Sequence, residues 1–118
     1  MRKFTSGRAL VAATETTLFV VPAGMNADVH LIHMANNGTP TKEGSVYWTD
    51  SSQSTDVHFF NAYTFAKGET KSYNNIEFVL EEGDSLKAIS EEGSTMSVLV
   101  TFDLYPKIGT VNNITSGT

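Results

Sequence analysis

The residues best suited to chemistry in this chain are its histidines and a set of closely spaced carboxylates. His30 and His33 lie three positions apart in a stretch that reads as a strand, so their side chains should point to opposite faces. They could share a metal ion only across a β-bulge, and we expect no metal site. Asp56 and His58 fall on one face, but no serine or second base follows at a triad spacing. We interpret them as a surface ion pair.

The paired glutamates also have a structural explanation. Glu81-Glu82 and Glu91-Glu92 flank glycine turns, where charge keeps a loop solvated and a sheet edge unpaired. Glycoside hydrolysis would instead need two carboxyl groups facing each other across a cleft. The absence of cysteine removes thiol nucleophiles, thiolate metal sites and disulfides. We therefore expect a protein that is not an enzyme and that uses no cofactor.

Aromatic side chains offer one alternative with a small ligand. Trp48 and Tyr47, together with the aromatic run Phe59–Phe65, could form a platform on which sugars stack. Core packing explains the same residues and is the favoured interpretation. The two interpretations differ in whether Tyr47, Trp48 and Tyr63 lie exposed in one plane.

Length and charge restrict the class of protein. The chain has 118 residues, enough for one domain with its own core. A net charge of −5 and no run of Lys or Arg argue against binding to a nucleic-acid backbone. No apolar window is long enough for a membrane span, and no apolar segment follows the basic start as in a signal peptide. We expect a soluble, unsecreted protein that contacts neither membranes nor nucleic acid.

The hydrophobic pattern predicts an all-β fold, an antiparallel sandwich or jelly roll in a single domain. No window keeps a helical period, whereas turn signals recur at strand spacing. The clearest strand places five alternate residues inward: Met96, Val98, Val100, Phe102 and Leu104. The segment Ile76–Ser90 reads as a β-hairpin closed by Gly83-Asp84.

One strand has apolar residues on both faces. Over Ala27–Asn36, the alternation places Val29, Leu31 and Ala35 inward and His30, Ile32 and Met34 outward. An apolar outer row of this kind should be covered by another copy of the chain. We therefore predict a homo-oligomer, with a trimer as the expected form.

The two ends of the chain differ from its middle. Residues 1–9 carry Arg2, Lys3 and Arg8 in an otherwise acidic chain, with Phe4 as the only apolar anchor. They predict an extended arm that orders on a neighbouring subunit, although a frayed terminus fits equally well. Residues 10–105 should form the sandwich. Residues 106–118, which are rich in Gly, Ser and Thr, should form a flexible tail.

Three segments resemble small β-sandwich structural proteins from the virions of tailed bacteriophages. The resemblance runs from about Thr14 to Tyr105. Its motifs are an entry strand ending in V-P-A-G, a short histidine strand ending in Asn, and a late L-x-x-G-D-x-L-x-A segment; they match residues 17–24, 32–36 and 80–88. Phe19 stands where the group has tyrosine. The motifs contain no catalytic residues.

This resemblance implies a structural protein that is assembled in the host cytoplasm and carried in the virion. Its partners would be other copies of itself and the major capsid protein or another virion protein. Among virion components, the resemblance implies a capsid decoration (cement) protein. A neck, tail or fibre accessory protein with a glycan-binding sandwich is the alternative.

Overall fold

The computed structural model describes the backbone of residues 2–74 and 78–107, with side chains from Phe4 onward. Within these ranges the chain forms β-strands and no helix, so no helix there could cross a membrane. The all-β prediction is confirmed. The strands are β1 (Arg2–Ala9), β2 (Thr16–Val20), β3 (Met25–Asn36), β4 (Lys42–Asp50), β5 (Thr55–Phe65), β6 (Thr70–Tyr73), β7 (Phe78–Leu80), β8 (Ser85–Ser90) and β9 (Met96–Pro106).

The strands form two antiparallel sheets packed face to face. One sheet has the order β1-β9-β3-β6, with β7 also paired to β3, and the other has the order β2-β8-β4-β5. Early strands therefore pair with late strands in reverse order: β1 with β9, β2 with β8, β3 with β6 and β7, and β4 with β5. This is the order of a jelly roll, in which one long antiparallel ribbon is rolled into two sheets.

The core lies between the two sheets and draws on nearly every strand. The alternation predicted for β9 is confirmed, since Met96, Val98, Val100 and Phe102 are buried and Leu104 packs against them. Facing them from the other sheet are Leu18, Val46, Phe60, Phe65, Leu86 and Ala88. This apolar layer is the main source of stability in a chain without disulfides.

The predicted faces of β3 are wrong because the strand contains a β-bulge. Val29 pairs with Phe102 and Leu31 with Thr101, so His30 is an extra residue without a partner across the ladder. The extra residue shifts the alternation by one position. As a result Ile32 and Met34 point inward and are 0% exposed, whereas Leu31 is partly exposed. The apolar outer row that motivated the trimer prediction does not exist.

The predicted hairpin is also corrected. The turn at Gly83 has the expected geometry, with a φ of 86° and a bond from Asp84 N to Glu81 O of 3.0 Å. However, β7 pairs with β3 in one sheet and β8 pairs with β2 and β4 in the other. The turn therefore carries the chain across the sandwich. Ile76 and Glu77, which the predicted hairpin included, lie outside the described residues.

The predicted N-terminal arm belongs to the sandwich instead. Residues 2–9 form β1, which pairs with β9 over its whole length of eight residues. Phe4 packs against Phe102 with ring centroids 5.5 Å apart, so its apolar contact comes from its own domain. At the other end β9 extends to Pro106, and Lys107 N donates to Gly24 O. The rest of the predicted tail, residues 108–118, lies outside the described residues.

Candidate functional site

A shallow depression opens on the outer side of the five-stranded sheet, beside the bulge in β3. It has a volume of about 240 Å³. Strands β1, β3 and β9 supply its lining residues: Phe4, Thr5, His30, Thr101, Phe102 and Asp103. The bulge positions His30 here, because an extra residue turns a side chain away from the regular alternation.

A histidine–carboxylate pair forms one side of this depression. His30 Nε2 lies 2.8 Å from Asp103 Oδ2, and the two residues are 73 positions apart in the chain. His30 is 37% exposed at its side chain, whereas Asp103 as a residue is only 4% exposed. The pair therefore joins a solvent-facing imidazole to a buried acid.

The second oxygen of this buried acid has no hydrogen-bond partner. Asp103 Oδ1 is inaccessible to solvent and receives no hydrogen bond. Buried polar atoms in folded proteins are nearly always paired, and an unpaired oxygen of a charged group is expensive to bury. The site therefore has an unused acceptor.

A second carboxylate lies directly across the ladder. Asp28 on β3 pairs with Asp103 on β9, and Asp28 Oδ1 accepts a hydrogen bond from the Tyr105 hydroxyl at 3.0 Å. Like charges placed opposite each other on neighbouring strands are unfavourable. On the other side of β9, Lys3 of β1 is opposite Asp103 in the backbone register. The two acids favour a positively charged group here, and Lys3 is a cation of the chain itself that is close in the backbone register.

The other predicted interface residues do not form one surface. Ile32 and Met34 are in the core. Arg8 is exposed on β1, where its guanidinium donates to the carbonyl of Gly7. Arg2 lies opposite Leu104 at the start of the same strand. Of the predicted interface residues, only Phe4 and His30 line the depression. Lys3 lies opposite Asp103 in the backbone register of β1 and β9.

The three aromatic residues proposed for sugar stacking do not share a plane. Tyr47 and Trp48 are adjacent on β4, so they point to opposite sides of the sheet. Tyr47 is buried on the outer side, where its hydroxyl donates to Glu15 and its ring contacts His58. Trp48 packs against the core. Of the three, only Tyr63 is well exposed, and the Lys71 ammonium lies over its ring.

The histidine predictions are also revised by the structure. His58 contacts the Tyr47 ring, while Asp56 accepts a hydrogen bond from Thr49, so the expected surface ion pair is replaced by two separate contacts. The bulge places His33 on the same outer side as His30, contrary to the expected opposite faces, and its Nδ1 lies 2.5 Å from Ser72 Oγ. Within the described ranges, no group of three or more potential ligands could hold a metal ion.

A second depression lies on the outer side of the four-stranded sheet and has a volume of about 210 Å³. Glu43 and Glu91 contribute to its lining. Here the Glu91 carboxylate is already engaged, because it accepts from Glu43 N at 2.9 Å and lies 3.8 Å from Lys42 Nζ. The Ser90 hydroxyl also lines this depression and is buried without a hydrogen-bond partner, but it is a neutral group and not a carboxylate.

Two of the three motifs that carry the virion resemblance, residues 17–24 and 80–88, meet at the end of the sandwich near Gly83. The entry strand and the late glycine turn interlock through two bonds, Val21 N to Asp84 O at 2.9 Å and Gly83 N to Val21 O at 3.0 Å. The Asp84 carboxylate accepts from Ser51 N, Ser51 Oγ and Glu81 N at 2.9–3.0 Å. These residues hold the fold together and are not part of the depression.

Sequence reasoning missed the central residue of the site. Alternation places Asp103 on the outer side of β9, which the pairing confirms, but its burial depends on the position of His30 and on neighbouring strands. The only local signal is an acid among the apolar residues of a strong strand. No protein-family model matches the chain, and no curated protein is significantly similar to it.

Proposed function

We propose that this protein is a structural component of a tailed-bacteriophage virion, and that it acts as a capsid decoration protein. It would bind the assembled head through contacts between proteins and would catalyse no reaction. The support is the resemblance of residues 17–24, 32–36 and 80–88. In the fold two of these segments interlock through Val21, Gly83 and Asp84, as expected if they specify one particular sandwich.

The surface is suited to binding in two ways. The depression over Asp103 has a buried acceptor without a partner, which a neighbouring protein could use. In addition, β1, β2 and β5 lie at the ends of the strand orders of their sheets. Edge strands have free backbone groups that pair readily with another chain. Self-association, including the predicted trimer, stays part of the proposal, but through these edges and not through an apolar row.

The deciding experiment measures copy number and location in a purified virion. Quantitative mass spectrometry of particles should find the protein in a number comparable to that of the major capsid protein. Labelling or imaging should place it on the outside of the head. A small fixed number of copies at the neck, tail or fibres would replace the decoration role with the accessory role. Absence from purified particles would contradict both roles.

A further inference from the structure

We propose that the depression over Asp103 is a binding site for a guanidinium group, the arginine side chain of a partner protein. That the partner is a virion protein rests on the proposed function. The chemistry of the site does not, because it follows from the described residues alone.

The first observation is the unused acceptor. Asp103 is 4% exposed; its Oδ2 is engaged by His30 Nε2, and its Oδ1 has no partner. A carboxylate can accept at both oxygens, and a buried one is stable only when both are engaged. The isolated protein therefore lacks one donor at this position, and a partner's donor reaches Oδ1 only when the side chains that cover it move aside.

The second observation is the local charge. Asp28 lies opposite Asp103 across β3 and β9, and the chain as a whole carries a formal charge of −5. The donor that completes the site should thus be cationic, because a positive group would offset the repulsion between these two acids. A neutral donor would leave that repulsion in place.

The third observation is the polar lining of the depression. Thr5 and Thr101 line it together with Asp103 and offer hydroxyl oxygens, whereas the rings of Phe4 and Phe102 stack on each other on the core side of the sheet. A guanidinium is planar and carries several N–H donors, and it is more weakly hydrated than an ammonium. It can donate to a carboxylate and a hydroxyl together, which a single ammonium N–H cannot do. This combination favours arginine over lysine.

The test uses the full chain and methylguanidinium as the probe, with nuclear magnetic resonance at constant ionic strength. Methylurea, which has a similar shape and no charge, is the control probe. We expect methylguanidinium to cause saturable shifts at the amides of Thr5, Thr101 and Asp103 and at the His30 ring. Methylurea should cause none. Shifts that are linear with concentration, or that are the same for both probes, would overturn the proposal.

Variants locate the binding. Asp103→Asn should weaken methylguanidinium binding by about tenfold or more, since it removes a charged acceptor. Thr101→Leu should weaken it as well by filling the depression while leaving the acid in place, so the test survives if Asp103→Asn folds poorly. Asp56→Asn, which changes an exposed acid on the other sheet, should bind as the wild type does. Unchanged affinity in both Asp103→Asn and Thr101→Leu would contradict the site.

Two further outcomes separate this inference from its alternatives. If only Lys3→Met binds the probe and the wild type does not, then Lys3, which is opposite Asp103, supplies the cation and the proposal is wrong. If the wild type binds methylguanidinium but the protein is absent from virions, the site stands and the proposed function fails. The two ideas can therefore fail separately.

Discussion

At the scale of single residues, buried polar side chains decide where the chain turns. Asp84 is 1% exposed, and burial alone would raise the pKa of its carboxyl group. The hydrogen bonds from Glu81 N, Ser51 N and Ser51 Oγ outweigh burial, so the pKa of Asp84 lies below its ordinary value of 3.8. The ionised form is therefore stabilised in the folded state.

Asp84→Asn should lower the free energy of unfolding at neutral pH by about 1–3 kcal/mol, because an amide replaces a charged acceptor of three hydrogen bonds. A lowered pKa stabilises the fold above the unfolded pKa, and this stabilisation is lost as the pH falls through the folded pKa. Wild type should therefore lose more stability than Asp84→Asn as the pH drops below about 3.8. Urea unfolding at several pH values measures both. Parallel stability curves for the two proteins would contradict this role of Asp84.

Asn36, at the end of β3, is a second buried polar side chain that fixes a turn through hydrogen bonds. It is 1% exposed, and its Nδ2 donates to the carbonyls of Pro40 and Phe65 at 2.8 and 3.1 Å, while Gly38 N donates to its Oδ1. Asn36→Ala should destabilise the protein by about 2–3 kcal/mol, since it leaves buried carbonyls unpaired. Asn37→Ala is the matched control, because Asn37 is exposed and bonds only Ser97 Oγ through its side chain. Equal thermal melting of the two variants would show that the buried amide is dispensable.

At the scale of elements, the bulge in β3 is the feature that the sequence pattern does not predict. Strict alternation in β9 identified its buried face correctly, because no residue interrupts the period of two. In β3 the residues on both sides of His30, Val29 before it and Leu31 and Ile32 after it, are all apolar, so the pattern contains no sign of an extra residue. A bulge moves all later side chains to the other face.

Two substitutions test this register directly. Ile32→Asp should lower the free energy of unfolding by about 4 kcal/mol or more, because it places an unpaired charge in the core. Leu31→Asp, at the neighbouring outward position, should cost much less. Expression as soluble protein and urea unfolding distinguish the two. If Leu31→Asp lowers the free energy of unfolding more than Ile32→Asp, then β3 has the regular alternation that the sequence predicts and contains no bulge.

Strand β1 was missed because an edge strand needs little apolar surface. Among its described side chains only Phe4 and Ser6 are partly buried, and Ser6 Oγ donates to Leu18 O in the facing sheet. The backbone ladder with β9 supplies the remaining contacts, and composition does not reveal such a ladder.

Phe4→Ala should therefore destabilise the isolated protein by about 1–2 kcal/mol, because the ring loses its contact with Phe102. This corresponds to a fall of roughly 4–10 °C in Tm. Thr5→Ala, which changes the adjacent exposed residue, should have little effect and serves as the control. Deleting residues 1–9 should destabilise the protein more than Phe4→Ala. An unchanged Tm after this deletion would instead support a separate docking arm.

At the scale of the whole molecule, the sequence predicts the class of fold but not the way the sheets are joined. Glycine turns at Gly83 and Gly93 were recognised, yet each carries the chain from one sheet to the other, which turn residues alone do not reveal. The candidate site depends on these long-range pairings. His30 and Asp103 come together only because β3 and β9 are neighbours with a one-residue shift in register.

Charge should govern how the molecule approaches its partner if the proposed function is right. With a formal charge of −5, the protein should bind basic surfaces faster at low salt. Raising the ionic strength from about 0.1 to about 1 M shortens the Debye length from about 10 to about 3 Å, so the association rate with particles lacking this protein should fall about tenfold or more.

The dissociation rate should respond to different changes. An arginine seated against Asp103 would be shielded from salt by burial, so salt should change dissociation less than association. Asp103→Asn should speed dissociation about tenfold or more, because the loss of a buried charge pair acts mainly on that step. Asp56→Asn, on the opposite sheet, should leave dissociation unchanged. Surface plasmon resonance on immobilised particles measures both rates. A dissociation rate unaffected by Asp103→Asn would indicate that docking uses the sheet edges and not this depression.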